Sequence, residues 1–148
     1  MSRYFEVVKG YDPNSVRLPT RASASSAGYD LRSLTEGDIA PRETKIFPTG
    51  LKAKMNSNEV LIVTIRSSLG IKRHLSLANG IGIIDADYFG NESNDGEILV
   101  AIHNHGQSLA HIQKGERIAQ GIFLNYLTTD EDKTDGTRSG GIGSSGTY

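Results

Sequence analysis

The chemistry-bearing run of this chain is Gly82-Ile83-Ile84-Asp85-Ala86-Asp87-Tyr88-Phe89-Gly90, where an apolar stretch delivers two carboxylates and a phenol onto a glycine turn. Read as a strand, it sends Asp85 and Asp87 to one face and Ala86 and Tyr88 to the other. A carboxylate at the end of an apolar strand, beside an aromatic ring, suits general-base chemistry on a cyclic substrate. The run also reads as a strand end with solvated acids. A second segment, Arg66-Ser67-Ser68-Leu69-Gly70, places a cation and two hydroxyls where a strand opens into a short helix, whose first N–H groups favour anions. A third, Arg138-Ser139-Gly140-Gly141-Ile142-Gly143-Ser144-Ser145-Gly146, has the composition of a phosphate loop without the Lys of the Walker A pattern. Its glycines let the backbone wrap closely on a ligand, and the same composition fits a low-complexity terminus. His103 and His105 share a strand face with His111 nearby, but no third ligand completes a zinc spacing, so they read as surface or interface histidines.

The elements that must position these groups are short strands. Val60 to Arg66 is β-branched and the most strand-like run. Ser67 to Lys72 is the one short helix, with a Ser available as cap. Leu75 to Ala78 and Gly80 to Ile84 flank Asn79-Gly80, a dipeptide of type I′ hairpin turns. Glu97 to Asn104 is a further strand, and Glu116 to Leu127 reads as one broken by Gly121. Seventeen glycines, no Trp and strands at about 8–12-residue spacing indicate an all-β sandwich or barrel of jelly-roll type. The 148 residues form one domain over 1–127, and a flexible arm over 128–148 begins in the polar run Asp130 to Gly136. A net charge of −1 favours neither a nucleic-acid polymer nor an anionic membrane. The absence of Cys excludes disulfides and thiolate chemistry. No apolar run approaches the length of a membrane span and no leader is visible, so a soluble, cytoplasmic protein is expected.

Together with Ala27-Gly28-Tyr29-Asp30-Leu31 and Gly115-Glu116-Arg117-Ile118-Ala119-Gln120, these segments resemble the five motifs of the trimeric dUTPases, in the same order, from about Leu18 to the C-terminus. The resemblance implies a homotrimeric jelly roll whose arm completes a neighbouring subunit's active site. It implies hydrolysis of dUTP to dUMP and pyrophosphate, with Asp85 as the general base that activates water at the α-phosphorus. Asn79, Gly82, Ile84 and Tyr88 would hold the base and sugar, the Tyr88 ring excluding a ribose 2′-hydroxyl. Arg66, Ser67, Ser68, Gln120, Arg138, Gly143, Ser144 and Ser145 would hold the phosphates. Asp30 and Asp87 would support the site, and Mg²⁺ would be carried mainly by the phosphates, with Asp30 as an outer-shell contact. The chain departs from the family pattern twice. Ile142 stands where the family arm has a Phe that stacks on uracil, so the base would be covered either by Ile142 as an aliphatic lid or by Phe89 as an aromatic one. Asn91 to Asp95 is inserted between Tyr-x-Gly and Glu97-Ile98, enlarging a hairpin tip that could also meet a protein partner. Two alternatives remain at this stage: a dCTP deaminase-related enzyme, or a regulatory protein that uses dUTP as a switch.

Overall fold

The computed structural model describes residues 2–134, 136–138, 140–142 and 145–147. Its strands, in chain order, are β1 (Tyr4–Val7), β2 (Tyr29–Arg32), β3 (Gly37–Ile39), β4 (Thr44–Pro48), β5 (Leu51–Lys54), β6 (Glu59–Ile65), β7 (Leu75–Leu77), β8 (Gly82–Asp85), β9 (Leu99–Asn104), β10 (Ala110–Ile112) and β11 (Arg117–Asn125). One sheet runs β2-β11-β6-β8 and a second β4-β9-β7, with the ribbons β1-β5 and β3-β10 beside them. Every pairing among the described residues is antiparallel. The β9 sequence alternates buried and half-buried positions, as a strand with one face on a core requires. Leu61, Val63 and Ile118 from the first sheet meet Phe47, Val100 and Ile102 from the second in a single apolar core. The result is an all-β sandwich with one short helix, as the sequence indicates. No described helix is long and apolar enough to cross a membrane.

Two local expectations change. β11 continues through Gly121 without a break, because a Cβ at that position would stand 2.9 Å from the Leu61 side chain. The missing side chain lets the neighbouring strand's leucine cross. Helix α1 (Ser67–Arg73) has Arg66, not a Ser, at its N-cap, and that cap makes no side-chain hydrogen bond. Lys72 and Arg73 occupy its last turn, where cations oppose the helix dipole.

The inserted segment is a built loop, not a loose tip. Gly90 N–H donates to the Asp95 carbonyl at 2.9 Å, so the loop leaves and rejoins at one point. Asn91 is 7% exposed, and its Oδ1 accepts from the Ser93 and Asn94 N–H groups at 3.0 and 3.1 Å. Lys52, itself 4% exposed, anchors the loop from below through Asp95 at 2.7 Å and also meets Glu6 at 3.3 Å. Burial pushes the Asp95 carboxyl up, but hydrogen bonds from Lys52 and the Lys9 N–H outweigh it and leave the group below its usual value. Burial likewise pulls Lys52 down, and its bonds to Asp95 and Glu6 leave it above the usual lysine value.

Lys52→Met, which keeps an apolar stem and removes the charge, is expected to lower stability at neutral pH by about 1.5–3 kcal/mol, the worth of a hydrogen bond to a charged group. The depressed Asp95 pKa means that its contribution is complete above the unfolded value of about 4 and disappears as pH falls through the folded value. The raised Lys52 pKa means that its own is complete below about 10.4 and disappears as pH rises through the folded value. Urea unfolding should therefore show a constant gap between wild type and variant near neutrality, and a gap that closes in acid.

Candidate active site

Asn79-Gly80 does not join a hairpin. Gly80 makes the turn at φ 77°, but β7 then pairs with β9 in one sheet and β8 with β6 in the other. Both are edge strands. They splay apart after the turn and leave a pocket of about 500 Å³ between the sheets. An edge strand turns half its N–H and C=O groups away from its sheet, as a ready template for a partner. Two such edges facing one cavity suit a flat ring that presents alternating acceptors and donors. Asn79, Gly82, Ile84, Asp85 and Tyr88 all line this pocket, with Ile98 and Val100 as its apolar floor.

β8 ends at Asp85, and Ala86–Tyr88 is a turn of 3-10 helix. The strand alternation expected through Tyr88 therefore stops at Asp85. The turn places Asp85 and Asp87 on one cation instead. Arg138 of the arm donates from Nη2 to Asp85 Oδ2 at 2.5 Å and from Nε to Asp87 Oδ1 at 2.8 Å. Its guanidinium also lies 5.9 Å from the Tyr88 ring centre. The Asp85 side chain is 49% exposed and that of Asp87 59%. Ion pairs so open to water are worth about 0–1 kcal/mol, so an anionic ligand can take Arg138 from the two carboxylates at little cost. Gly141, Ile142 and Ser145 of the arm also line the pocket. Gly143 and Ser144 lie outside the described residues.

Phe89, a candidate for aromatic cover, does not line this pocket. Its ring makes an edge contact with Tyr4, with centroids 6.2 Å apart, and lies under the Lys52 and Lys54 ammonium groups at 4.7 and 5.2 Å. The 3-10 turn that buries Tyr88 points the next residue toward the β1-β5 ribbon, and Phe89 is not among the residues lining the pocket.

The other expected residues gather elsewhere. Asp30 on β2 lies opposite Gln120 on β11, and Ile65, Arg66 and α1 follow at the end of β6. A Cβ at Gly28 would run into the Gln120 side chain, so the two are in close contact. Arg32 and Arg117 are direct cross-strand partners, a placement that repels unless an anion intervenes. Arg117 meets Asp30 at 3.3 Å. Burial and the charges of Arg17, Arg117 and Arg66 lower the Arg32 pKa, against the opposing pull of Asp30. Asp30 is thus the counter-ion of a guanidinium cluster. Arg66, Ser67, Ser68, Gln120 and Asp30 do not line the pocket of Asp85. Asp85 pairs with Val60 at the far end of β6, and Val60 to Arg66 spans about 20 Å at a strand's rise per residue.

A family model described as dUTPase matches residues 14–146. The chain belongs to the dUTPase family. It is 41% identical over 146 residues to a deoxyuridine 5'-triphosphate nucleotidohydrolase of Lactococcus lactis, covering 97% of both chains. It is 38% identical over 138 residues to the Escherichia coli protein of the same name, covering 87% of each. The crystal structure of dUTPase from Streptococcus mutans superposes with a TM-score of 0.80 at 37% identity, over 86% of this chain and 98% of that one. A dUTPase from phage phi11 of S. aureus, described with a structural Mg(II) ion, shares the fold alone, with a TM-score of 0.73 at 18% identity over 92% of this chain and 98% of that one.

Within this dUTPase fold, the guanidinium cluster is a feature of the site that the motifs do not announce. Its signal was present as Asp30-x-Arg32, two residues on one strand face. The histidines are accounted for locally. His103 Nδ1 lies 2.9 Å from Thr44 Oγ1 and His105 Nε2 lies 2.6 Å from Ser76 Oγ. Among the described residues no three His, Cys, Asp or Glu side chains gather to hold a metal.

Phe89→Ala is expected to lower the thermal midpoint through its lost aromatic and cation contacts, the aromatic pair alone being worth about 0.5–1.5 kcal/mol. Affinity for a non-hydrolysable dUTP analogue should stay within about two-fold of wild type, because the ring is outside the pocket. Differential scanning calorimetry and titration calorimetry on the same preparation would check both.

Proposed function

We propose that this chain hydrolyses dUTP to dUMP and pyrophosphate, with the uracil and deoxyribose in the pocket between β7 and β8. The observation that carries this is the pair of facing edge strands beside Asp85 and Tyr88. Their backbone groups can read the acceptor–donor–acceptor edge of uracil as they would read another strand, and cytosine presents a different pattern. Asn79 adds a side-chain contact, and Ile84 and Gly82 leave room for the flat ring. Tyr88 lies against the deoxyribose and fills the volume a 2′-hydroxyl would need.

Asp85 holds the 3′-hydroxyl and accepts a proton from the attacking water. The water oxygen bonds to the α-phosphorus as the bond to the bridging oxygen of the β-phosphate breaks, and pyrophosphate departs. Arg138 exchanges its two carboxylates for the γ-phosphate, a charge-assisted contact that also releases Asp85 to act as base. Ile142 gives an aliphatic cover. Ser145, with Gly143 and Ser144, supplies donors along the triphosphate. A divalent ion, Mg²⁺ in this reading, would sit on the phosphate oxygens and neutralise their charge. No carboxylate cage gathers among the described residues, so in this reading the hard oxygen ligands would come from substrate and water.

The phosphate donors Arg66, Ser67, Ser68 and Gln120, with Asp30 behind them, lie too far along β6 to serve the same chain's Asp85. A second copy would bring them, and that separation supports a homotrimer with shared sites. In the single chain the arm docks on its own pocket. An equivalent pocket on a neighbour offers the same contacts, so exchange between subunits keeps the contact chemistry and lets the arm complete the neighbour's site. Glu92 and Ser93, exposed at the tip of the inserted loop, are the surface it leaves to a protein partner.

Pyrophosphate release from dUTP, dTTP, dCTP and UTP, with and without EDTA, tests the activity. Turnover is expected on dUTP alone and lost with EDTA, while ammonia release from dCTP would overturn the assignment. Asp85→Asn should keep trimer and ligand binding while turnover falls by about 10²–10⁴-fold. Mixing Asp85→Asn chains with chains ending before Arg138 should recover activity that neither has alone. No recovery from mixed trimers would mean that each arm serves its own chain.

A further inference from the structure

We propose that Asn94, carried by the inserted loop, is the positioning residue that holds the Tyr88 ring at the angle that excludes a ribose 2′-hydroxyl, and so helps to set sugar selectivity. This rests on the dUTP reading above and goes beyond it. Tyr88 has one hydroxyl proton, and it is donated to the Glu97 carbonyl at 2.6 Å. The same oxygen accepts from Asn94 Nδ2 at 2.7 Å. The phenol tip is thereby gripped from two directions, by the inserted loop and by Glu97 two residues beyond its end.

The amide of Asn94 has no choice of orientation. Its Oδ1 accepts from Asn91 Nδ2 at 2.8 Å and from the Gly96 N–H at 3.1 Å. Turning the amide over would set Nδ2 against these two donors and leave Tyr88 facing an acceptor. Asn91 is held in turn, its Nδ2 also donating to the Tyr88 carbonyl at 2.8 Å. The loop therefore fixes Tyr88 at backbone and hydroxyl together. The arm crosses the same spot: a Cβ at Gly141 would stand 3.1 Å from Tyr88 Cε1 and 3.7 Å from Asn94 Nδ2. A ring free to tilt at its tip would open volume beside the sugar, and Asn94 removes that freedom. Burial raises the Tyr88 pKa, the Asn94 bond lowers it, the Glu97 charge raises it and that of Arg138 lowers it, with a net rise.

Two variants separate the donor from the loop's fold. Asn94→Ala removes both functions, while Asn94→Asp keeps the shape and the Oδ acceptor and loses the donor. Both are expected to lower the dUTP-to-UTP ratio of kcat/KM by about 3–10-fold, the worth of one neutral hydrogen bond. In the Tyr88→Phe background, Asn94→Ala should lower that ratio no further, because the hydroxyl through which it acts is gone. A purely structural role would instead add the same loss in both backgrounds, and that result overturns the proposal. An unchanged ratio in both single variants overturns it as well. Titration of the Tyr88 phenol by NMR of ring-labelled protein reads the coupling without any turnover: Asn94→Ala should raise its pKa, and an unmoved value refutes the contact. If wild type fails on dUTP, the function proposed above falls and the selectivity with it, whereas an active wild type with an unmoved ratio refutes Asn94 alone.

Discussion

Strands β7 and β8 are consecutive in the chain and yet belong to different sheets, and the rest of the site depends on that separation. A β-hairpin at Asn79-Gly80 would have satisfied their backbone groups within the chain. By pairing outward, with β9 and with β6, the two strands keep a cavity between their unpaired edges. The sandwich stays intact because each strand has one neighbour and a side chain on the core: Leu75 and Leu77 of β7 are buried in it, and Ile84 of β8 packs against it half-buried. Recognition by main chain, as proposed here, would be rigid, since the edges cannot move without disturbing the sheets. In the proposed reading, ligand identity is thus built into strand order, and the side chains add the sugar and phosphate contacts.

Charge is distributed along β6 in a way that follows from the same topology. The carboxylates Asp85 and Asp87 lie at one end of the strand, and the cluster of Arg17, Arg32, Arg66 and Arg117 at the other. A net charge near zero conceals this polarity completely. Within one chain the two ends are held apart by a stiff strand, and each settles its charge locally, Asp85 and Asp87 through Arg138, Arg117 through Asp30. The carboxylates of the first pairing are about half exposed, open enough to give up Arg138 to a ligand, whereas Asp30 is more deeply set. Assembly, in the proposed trimer, is what turns two half-solutions into a binding site for a molecule with a neutral base and a polyanionic tail.

Much of this was legible in sequence because it rested on local pattern. The β-branched run Val60 to Ile65, the helix after Arg66 and the acid at the end of an apolar strand all follow from spacing. What escaped did so where a non-local contact decides. The direction of Phe89 depends on a 3-10 turn that opens one residue after Asp85, and no periodicity distinguishes that turn from continued strand. The continuity of β11 at Gly121 depends on where Leu61 of another strand crosses. The splaying of β7 and β8 depends on competing partners far away in the chain, against a dipeptide that by itself favours a hairpin. Asn94 read as loop composition because its function lies in what its two amide atoms face, and a polar hairpin tip gives no hint of that.

The closure of the inserted loop has an evolutionary and practical meaning. Its two ends meet across two hydrogen bonds, from the Gly90 N–H to the Asp95 carbonyl and from the Asp95 N–H to the Asn91 carbonyl, so its length is decoupled from the spacing of the strands on either side. Closing such a loop costs little more as it grows. The segment therefore behaves as a cassette. It could be excised, lengthened or transplanted between relatives without re-registering a sheet, and what would travel with it is the posture of a single tyrosine.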